Sequence, residues 1–179
     1  DGFFHDEAGN WAVRGGSPLR YDPTNEPGIH APWLYNALGQ PYKTQATVRQ
    51  IVNTVYTTGP GGLPGNDDLG TMSAWYVYAA LGMFPQVVGR AEVLLAAPLF
   101  PLATITRADG TRLTITAPGA SAANAYVQRV AVNAVTSTAS WLPESFTRTG
   151  GTVSVTVGPA PNTSWGTSAA DLPPDRLVG

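Results

Sequence analysis

The segment 65-GNDDLGTMSAWYV-77 places two adjacent carboxylates, Asp67 and Asp68, directly before a run of apolar residues with helical spacing. Acids at the start of a helix are stabilised by the unpaired backbone N–H groups and by the positive end of the helix dipole. A glycine-rich loop precedes the two acids, and Trp75 and Tyr76 follow them. This combination is typical of a polyol or sugar pocket, although simple helix capping would also explain the acids.

Three helices are predicted in the first half of the chain. A short helix spans residues 29–38, and an amphipathic helix runs from Thr44, as its N-cap, to about residue 58, with Gly59 as its C-cap. The third helix spans about residues 70–81 and is apolar nearly all round. An apolar surface of this kind predicts that neighbours cover the helix on both sides.

The spacing of apolar residues changes to a period of two after about residue 88. Strands are predicted at residues 91–96, 102–107, 112–116, 125–132 and 152–157. The pair Asp109-Gly110 between two alternating runs predicts a β-hairpin. The sequence therefore predicts an α+β chain in three parts, namely a helical part over 1–88, a β-rich part over 89–165 and an irregular tail over 166–179.

Composition and charge exclude several classes of function. The net charge is -2 and the ten Lys and Arg residues are scattered singly, so no basic face for nucleic acid is predicted. The chain has no cysteine, which excludes a disulfide framework and a thiolate site. No apolar run approaches the roughly 20 residues that a membrane span needs. Nucleic acid and a membrane span are therefore not expected.

Two groups of multi-residue blocks follow one another along the chain. The first group comprises 24-TNEP-27, 33-WLYN-36 and 39-GQPYKTQ-45, and the second comprises 63-LPGNDD-68, 80-ALGMFP-85 and 97-APLFP-101. In this order the blocks resemble the signature of the calcium-dependent exo-α-mannosidases of glycoside hydrolase family 92. The resemblance covers about residues 20–160.

The resemblance implies a fold in which an (α/α)6 barrel carries the catalytic site and an N-terminal β-sandwich packs against it. Residues 1–88 would be the last helices of the barrel, and residues 89–165 would be β-sandwich-type strands beside them. The chain would be the C-terminal portion of a longer parent, and its expected partner is the remainder of that parent, with the sandwich and the other barrel helices. The family's habit also implies a secreted or periplasmic bacterial protein.

For activity, the resemblance implies an inverting, exo-acting hydrolase of mannose-containing glycans such as N-glycans, with α-1,2 as the commonest linkage. Asp68 is the expected general base, and Asp67 and Asn66 would orient Asp68 or the attacking water. Inverting hydrolysis needs a second carboxyl about 6.5–9.5 Å away. The family's general acid is a glutamate in a motif resembling Glu-Gly-Asn-Ala-Trp-Gln, which this chain lacks. The chain alone is therefore expected to be inactive.

Oxygen-rich side chains between Pro23 and Pro27 suit calcium, which takes about six to eight oxygen ligands. The resemblance implies that Asn25, with Thr24 beside it, contacts Ca2+ or the sugar, and that Glu26 and His30 contact the substrate. Asn66, next to the acids, and Trp75, whose ring could stack on a sugar face, are further candidates for substrate contact. Plainer alternatives stay open. The loop would then be a turn cluster, His30 would be a hydrogen-bonded residue at a helix start, and Trp75 would belong to the core.

Two other functions remain open at the level of sequence. The chain would be a non-catalytic carbohydrate-binding or structural module if the two acids only cap a helix. It would be an (α/α)6 hydrolase with a different sugar specificity if the pocket takes a glycoside other than a mannoside. Loss of turnover on changing Asp68 would exclude the first alternative, and a panel of substrates would test the second.

Overall fold

The computed structural model of the chain describes residues 2–13, 19–85, 87 and 89–175, which form a mixed α+β structure. The α-helices are Leu34–Ala37 (α1), Pro41–Val55 (α2), Thr71–Leu81 (α3) and Glu144–Thr149 (α4). Short 3-10 helices span Glu26–Gly28, Ala31–Trp33 and Ala169–Asp171. The strands are Met83–Pro85 (β1), Val93–Leu95 (β2), Leu102–Thr106 (β3), Arg112–Thr116 (β4), Tyr126–Val132 (β5), Val135–Ser137 (β6), Trp141–Leu142 (β7) and Gly151–Gly158 (β8).

Helix α2 differs at both ends from the helix predicted over residues 44–58. It begins at Pro41, because the fixed φ of proline suits the first helical position and the missing N–H has no partner to lose there. Thr44 is therefore not the N-cap but a fully buried residue inside the helix. The helix ends at Val55, and its C-cap is the extended residue Tyr56 rather than Gly59.

Helix α3 forms where it is predicted, between two left-handed glycines. Gly70 has φ +95° and Gly82 has φ +73°. A Cβ atom at Gly82 would lie 2.7 Å from the backbone nitrogen of Pro98, so this close approach requires glycine. Trp75 lies on the buried face, whereas Val77, on the opposite face, is exposed. The described residues thus cover one of the two sides that the sequence predicts to be covered.

The strands form two sheets. The small sheet is antiparallel with the order β1-β2-β7, and the large sheet has the order β3-β4-β8-β5-β6. Strands β4 and β8 are parallel, and the other pairs of the large sheet are antiparallel. The predicted hairpin is confirmed, because β3 and β4 pair from Leu102 opposite Thr116 to Thr106 opposite Arg112.

The small sheet lies between the helices and the large sheet. Successive residues of a strand point to opposite faces, so one face contributes to each of two cores. Met83, Val93 and Leu95 pack with the large sheet, and their neighbours Phe84 and Leu94 pack with the helices. The two sheets therefore share a core, as in a sandwich. The barrel and the division at residue 88 stay predictions.

The chain after β8 returns across the molecule in an irregular course. Gly166 lies so close to the Ser140 side chain that a Cβ atom there would come within 2.8 Å of it. The backbone N–H of Ser140 donates to the carbonyl of Asp171 at 3.1 Å. Through residue 175 this segment covers the edge of the small sheet. Among the described residues, no helix combines the length and the apolar character that crossing a membrane requires.

Candidate active site

The two loops that carry the predicted site residues meet at the N-terminus of α3. The hydroxyl Oγ1 of Thr71 lies 2.9 Å from Oε1 of Glu26. A Cβ atom at Gly65, which has φ +61°, would lie 3.0 Å from the Thr24 side chain. These contacts join residues that are more than forty positions apart in sequence. The structure thus brings the Asn25-Glu26 loop and the Asp67-Asp68 loop together.

The backbone before α3 forms a strained turn. Three successive residues have left-handed φ values, namely +49° at Asp68, +58° at Leu69 and +95° at Gly70. Such values cost a residue with a side chain about 1–3 kcal/mol, and they persist only where the surrounding structure fixes them. The Leu69 side chain is fully exposed, so its packing does not offset the strain. Strain of this kind is concentrated at functional sites.

Asp67 holds the turn against the helix. Its Oδ1 accepts hydrogen bonds from both the backbone N–H and the hydroxyl of Ser73, each at 2.8 Å. Its backbone carbonyl accepts from the N–H groups of Gly70 and Met72. Asp67 therefore caps α3, which is the structural alternative that the sequence left open for this residue.

The carboxylate of Asp67 also influences a neighbouring tyrosine. Burial and the negative charge of Asp67 together raise the pKa of Tyr56 to about 12. The Tyr56 hydroxyl is thus protonated at neutral pH, and it donates to the backbone carbonyl of Met72 at 3.3 Å. Tyr56 lines a groove of about 160 Å³ together with Leu63 and Tyr76. The sequence does not predict Tyr56 or Ser73 as site residues, since a single hydroxyl has no signature of its own.

Asp68 differs from Asp67 in its side-chain contacts. Within the described residues its carboxylate makes no hydrogen bond, and the residue is half-buried. Its backbone carbonyl accepts from the N–H of Thr71 at 3.2 Å and lies 2.8 Å from the Thr71 hydroxyl. Asn66 is exposed, and its side chain likewise has no hydrogen-bond partner in the described part of the chain. The Asp68 carboxylate is therefore available to water or to a ligand.

The predicted calcium ligands lie on the other loop. The backbone N–H and the hydroxyl of Thr24 both donate to Oδ1 of Asp22, at 2.9 and 2.8 Å. Asn25 is exposed and makes no side-chain cap to the 3-10 helix that follows it. Over the described ranges there is no group of three or more His, Cys, Asp or Glu side chains suited to a metal. Because calcium takes about six to eight oxygens, these residues alone do not fit a complete calcium site.

His30 lies at the start of a 3-10 helix, next to an aromatic ring. Its imidazole contacts Phe84 edge-on, with ring centroids 5.3 Å apart, and both residues line a cavity of about 40 Å³ with Trp33. Burial lowers the pKa of His30, so the ring is neutral at neutral pH. The structure does not bring the His30 side chain into contact with Asp68.

The lowered pKa of His30 predicts a pH dependence of stability. The folded chain binds this proton more weakly than the unfolded chain, so the folded state is destabilised as pH falls below the ordinary value of 6.5. We expect the Tm of the wild-type chain to fall more between pH 7 and pH 5 than that of His30→Gln, measured by circular dichroism. His5→Gln is the matched control and should behave like the wild type. An equal fall of Tm in the wild type and in His30→Gln would contradict the lowered pKa of His30 as the cause.

Trp75 is a core residue. Its side chain is 2% exposed, and its ring stacks on Tyr56 at a centroid distance of 5.8 Å and an interplanar angle of 6°. Its Nε1 donates to the backbone carbonyl of Ile29 at 3.0 Å. This burial argues against the predicted contact between Trp75 and a sugar, because no face of the ring is open to a ligand. The indole instead ties the first loop to α3.

Comparison with known proteins identifies the family of this chain. The sequence profile described as Glycosyl hydrolase family 92 catalytic domain matches residues 1–159. An uncharacterized secreted glycosidase of Arthroderma benhamiae is 31% identical over 158 residues, which are 87% of this chain and 20% of that protein. A family GH92 alpha-mannosidase from Bacteroides thetaiotaomicron has a TM-score of 0.84 at 32% identity, over 87% of this chain and 21% of its own.

A second solved structure shows a similar degree of likeness to this chain. A family GH92 inverting mannosidase from Bacteroides thetaiotaomicron VPI-5482 has a TM-score of 0.80 at 31% identity, over 87% of this chain and 21% of its own. The chain thus spans about a fifth of the length of the relatives it matches. The profile covers most of this chain and includes both loops of the candidate site. The chain therefore belongs to glycoside hydrolase family 92.

Proposed function

We propose that this chain is the C-terminal part of an exo-acting, inverting α-mannosidase that removes mannose from glycans, N-glycans included. The observation that carries the proposal is the position of the Asp68 carboxylate. It lies on a strained turn beside the Glu26 loop, and it makes no hydrogen bond to any described residue. The names of two relatives, an alpha-mannosidase and an inverting mannosidase, support the substrate class and the stereochemistry. A structure of the first contains mannoimidazole.

In this proposal Asp68 is the general base. Inverting hydrolysis uses one carboxylate to take a proton from water on one face of the sugar, and one carboxylic acid to protonate the leaving oxygen on the other. Asp67 does not serve as the second group, because Ser73 occupies its Oδ1 and because adjacent acids rarely lie on opposite faces of one sugar. The general acid would come from the rest of the parent. Asn66 and Glu26 are the nearest candidates for substrate contact.

The assignments of calcium, linkage and location rest on the family resemblance. Calcium is expected for the parent enzyme, with Thr24 and Asn25 contributing oxygens to a ligand set that other parts of the parent complete. An α-1,2 linkage is the proposed specificity. A secreted or periplasmic location is proposed, and the name of the Arthroderma benhamiae relative, a secreted glycosidase, supports secretion.

The test is mannose release from α-1,2-mannobiose by the full-length parent, with and without a calcium chelator, and by this chain alone. We expect release by the parent, loss of release with the chelator, and none by the chain, because it lacks the expected general acid. Turnover by the isolated chain would contradict the inference that this chain lacks the general acid. Release that is unaffected by the chelator would contradict the calcium assignment alone.

The capping role of Asp67 favours one alternative strongly enough to be tested. If the acids serve only α3, the chain is a carbohydrate-binding or structural module. Glycan binding would then survive both chelation and Asp68→Asn, and no mannobiose would be cleaved by the parent. Cleavage of another glycoside in a substrate panel would instead indicate a hydrolase with a different sugar specificity.

A further inference from the structure

We propose that Thr71 is a positioning residue that couples the Glu26 loop to the Asp68 turn. Its Oγ1 lies 2.9 Å from Oε1 of Glu26 and 2.8 Å from the backbone carbonyl of Asp68. The hydroxyl carries one proton, so it can donate to either acceptor and stays between them. The inference rests on the proposed function, because it assigns Thr71 a role through Asp68.

The Asp68 turn needs such a contact on the side facing the other loop. The turn is held against α3 by the two hydrogen bonds from Ser73 to Asp67, one residue earlier. On the side that faces the Glu26 loop, the turn is held through the Asp68 carbonyl, which lies within hydrogen-bonding distance of the N–H and the hydroxyl of Thr71. Because the Asp68 carboxylate makes no hydrogen bond to a described residue, its position follows the backbone of this turn. A shift of the turn would move the carboxylate directly.

Glu26 depends on the same hydroxyl. It begins an exposed 3-10 helix of three residues, which is too short to fix a side chain by its own hydrogen bonds. Among the described residues, Thr71 is the hydrogen-bonding partner of the Glu26 carboxylate. Removing the hydroxyl would therefore free the Glu26 side chain and leave the carbonyl of the turn with the Thr71 N–H as its remaining contact to that residue, although Thr71 itself need not touch the sugar.

The experiment compares Thr71→Val with Thr71→Ser in the full-length enzyme. Valine keeps the shape of the side chain and removes the hydroxyl, and serine keeps the hydroxyl. Since a misplacement of about 1 Å can cost about 10²-fold in rate, we expect Thr71→Val to lower kcat/KM roughly 10- to 100-fold. Thr71→Ser should stay within about threefold of wild type, since the interaction is retained. Thr149→Val, which removes a helical hydroxyl that bonds the Ser145 carbonyl, is the matched control and should leave kcat/KM unchanged.

A double-mutant cycle with Glu26→Met, which keeps the length of the side chain and removes the acceptor of the Thr71 hydroxyl, distinguishes coupling from a general loss of structure. If Thr71 acts through Glu26, the combined variant should lose less activity than the product of the two single losses. Multiplicative losses, or a Thr71→Val enzyme with wild-type kcat/KM, would overturn the inference. The Tm of each variant is recorded alongside. If Asp68→Asn leaves turnover unchanged, it is the proposed function that fails, and the cycle then has no catalytic residue to report on.

Discussion

Replacing Asp68 by Asn in the full-length enzyme is expected to lower kcat by roughly 10² to 10⁴, the usual contribution of a general base. The amide has nearly the same shape as the carboxylate but cannot take a proton from water. Because the Asp68 carboxylate makes no hydrogen bond within the described residues, its replacement removes no contact that holds the fold. The Tm should therefore stay within about 2 °C of the wild type. Initial rates with α-1,2-mannobiose and a thermal unfolding curve measure both quantities.

Asp67 provides the contrasting variants. Asp67→Ala removes the acceptor of two hydrogen bonds from Ser73, so we expect it to lower the free energy of unfolding by about 1 kcal/mol, the usual value of a helix cap. Asp67→Asn keeps an oxygen in that place and should lose less stability. Turnover that survives Asp68→Asn would exclude Asp68 as the base. Equal losses of stability in Asp67→Ala and Asp68→Asn would show that both acids serve the helix.

The sequence predicts those elements of the fold that depend on local signals. Gly70 and Gly82 flank helix α3, and Asp109-Gly110 lies in the turn between β3 and β4. The limits of both elements can therefore be recognised from nearby residues. Strands β1, β6 and β7 are two or three residues long, too short for a period of two to be recognised. Strand β6 forms a tight hairpin with β5, in which Val132 lies opposite Val135, whereas β7 forms because the distant strand β2 pairs with it. The same reason applies to Thr44, which tertiary burial places inside α2 although its residue type favours an N-cap.

The candidate site shows a similar limit. The sequence identifies the pair Asp67 and Asp68, but neighbours of one residue type have the same propensity. The family resemblance singles out Asp68 as the base, and the capping role of Asp67 appears only when the helix brings Ser73 to it. Trp75 is predicted to contact the sugar because aromatic rings stack on sugar faces, but in the structure its ring is buried against Tyr56, a neighbour that the sequence does not place beside it. Residues that act through hydrogen bonds, such as Thr71, need coordinates to be recognised.

Asn36 joins α1 to the small sheet and is completely buried. Its Nδ2 donates to the backbone carbonyls of Leu95 at 3.0 Å and Ser140 at 2.9 Å. Leu95 and Ser140 lie just beyond the last residue pair that joins β2 to β7. The N–H of Leu95 donates to the Ser140 carbonyl. The N–H of Ser140 donates to the backbone carbonyl of Asp171 instead of to that of Leu95. The amide of Asn36 thus supplies the donor that the Leu95 carbonyl would otherwise lack.

Asn36→Asp is expected to cost about 3 kcal/mol or more in the free energy of unfolding, because a buried carboxylate would face two carbonyl oxygens with no proton between them. The volume is unchanged, so the loss measures the missing donor together with the buried charge and not a cavity. For a chain of this size the Tm should fall by roughly 6–12 °C. Urea unfolding followed by circular dichroism measures the change. Asn53→Asp, at an exposed position of α2, is the matched control and should stay within about 0.5 kcal/mol of wild type.

Asn36→Leu separates the hydrogen bonds from the charge. It leaves the Leu95 carbonyl unpaired without adding a carboxylate, so its loss should be smaller, about 1–3 kcal/mol. The order of stability should be wild type, then Asn36→Leu, then Asn36→Asp. Because α1 lies in the chain directly after the Glu26 loop, a weakened α1 would also loosen one side of the candidate site. An Asn36→Asp chain as stable as wild type would mean that the Leu95 carbonyl finds another donor, and the attachment of the small sheet would then not depend on α1.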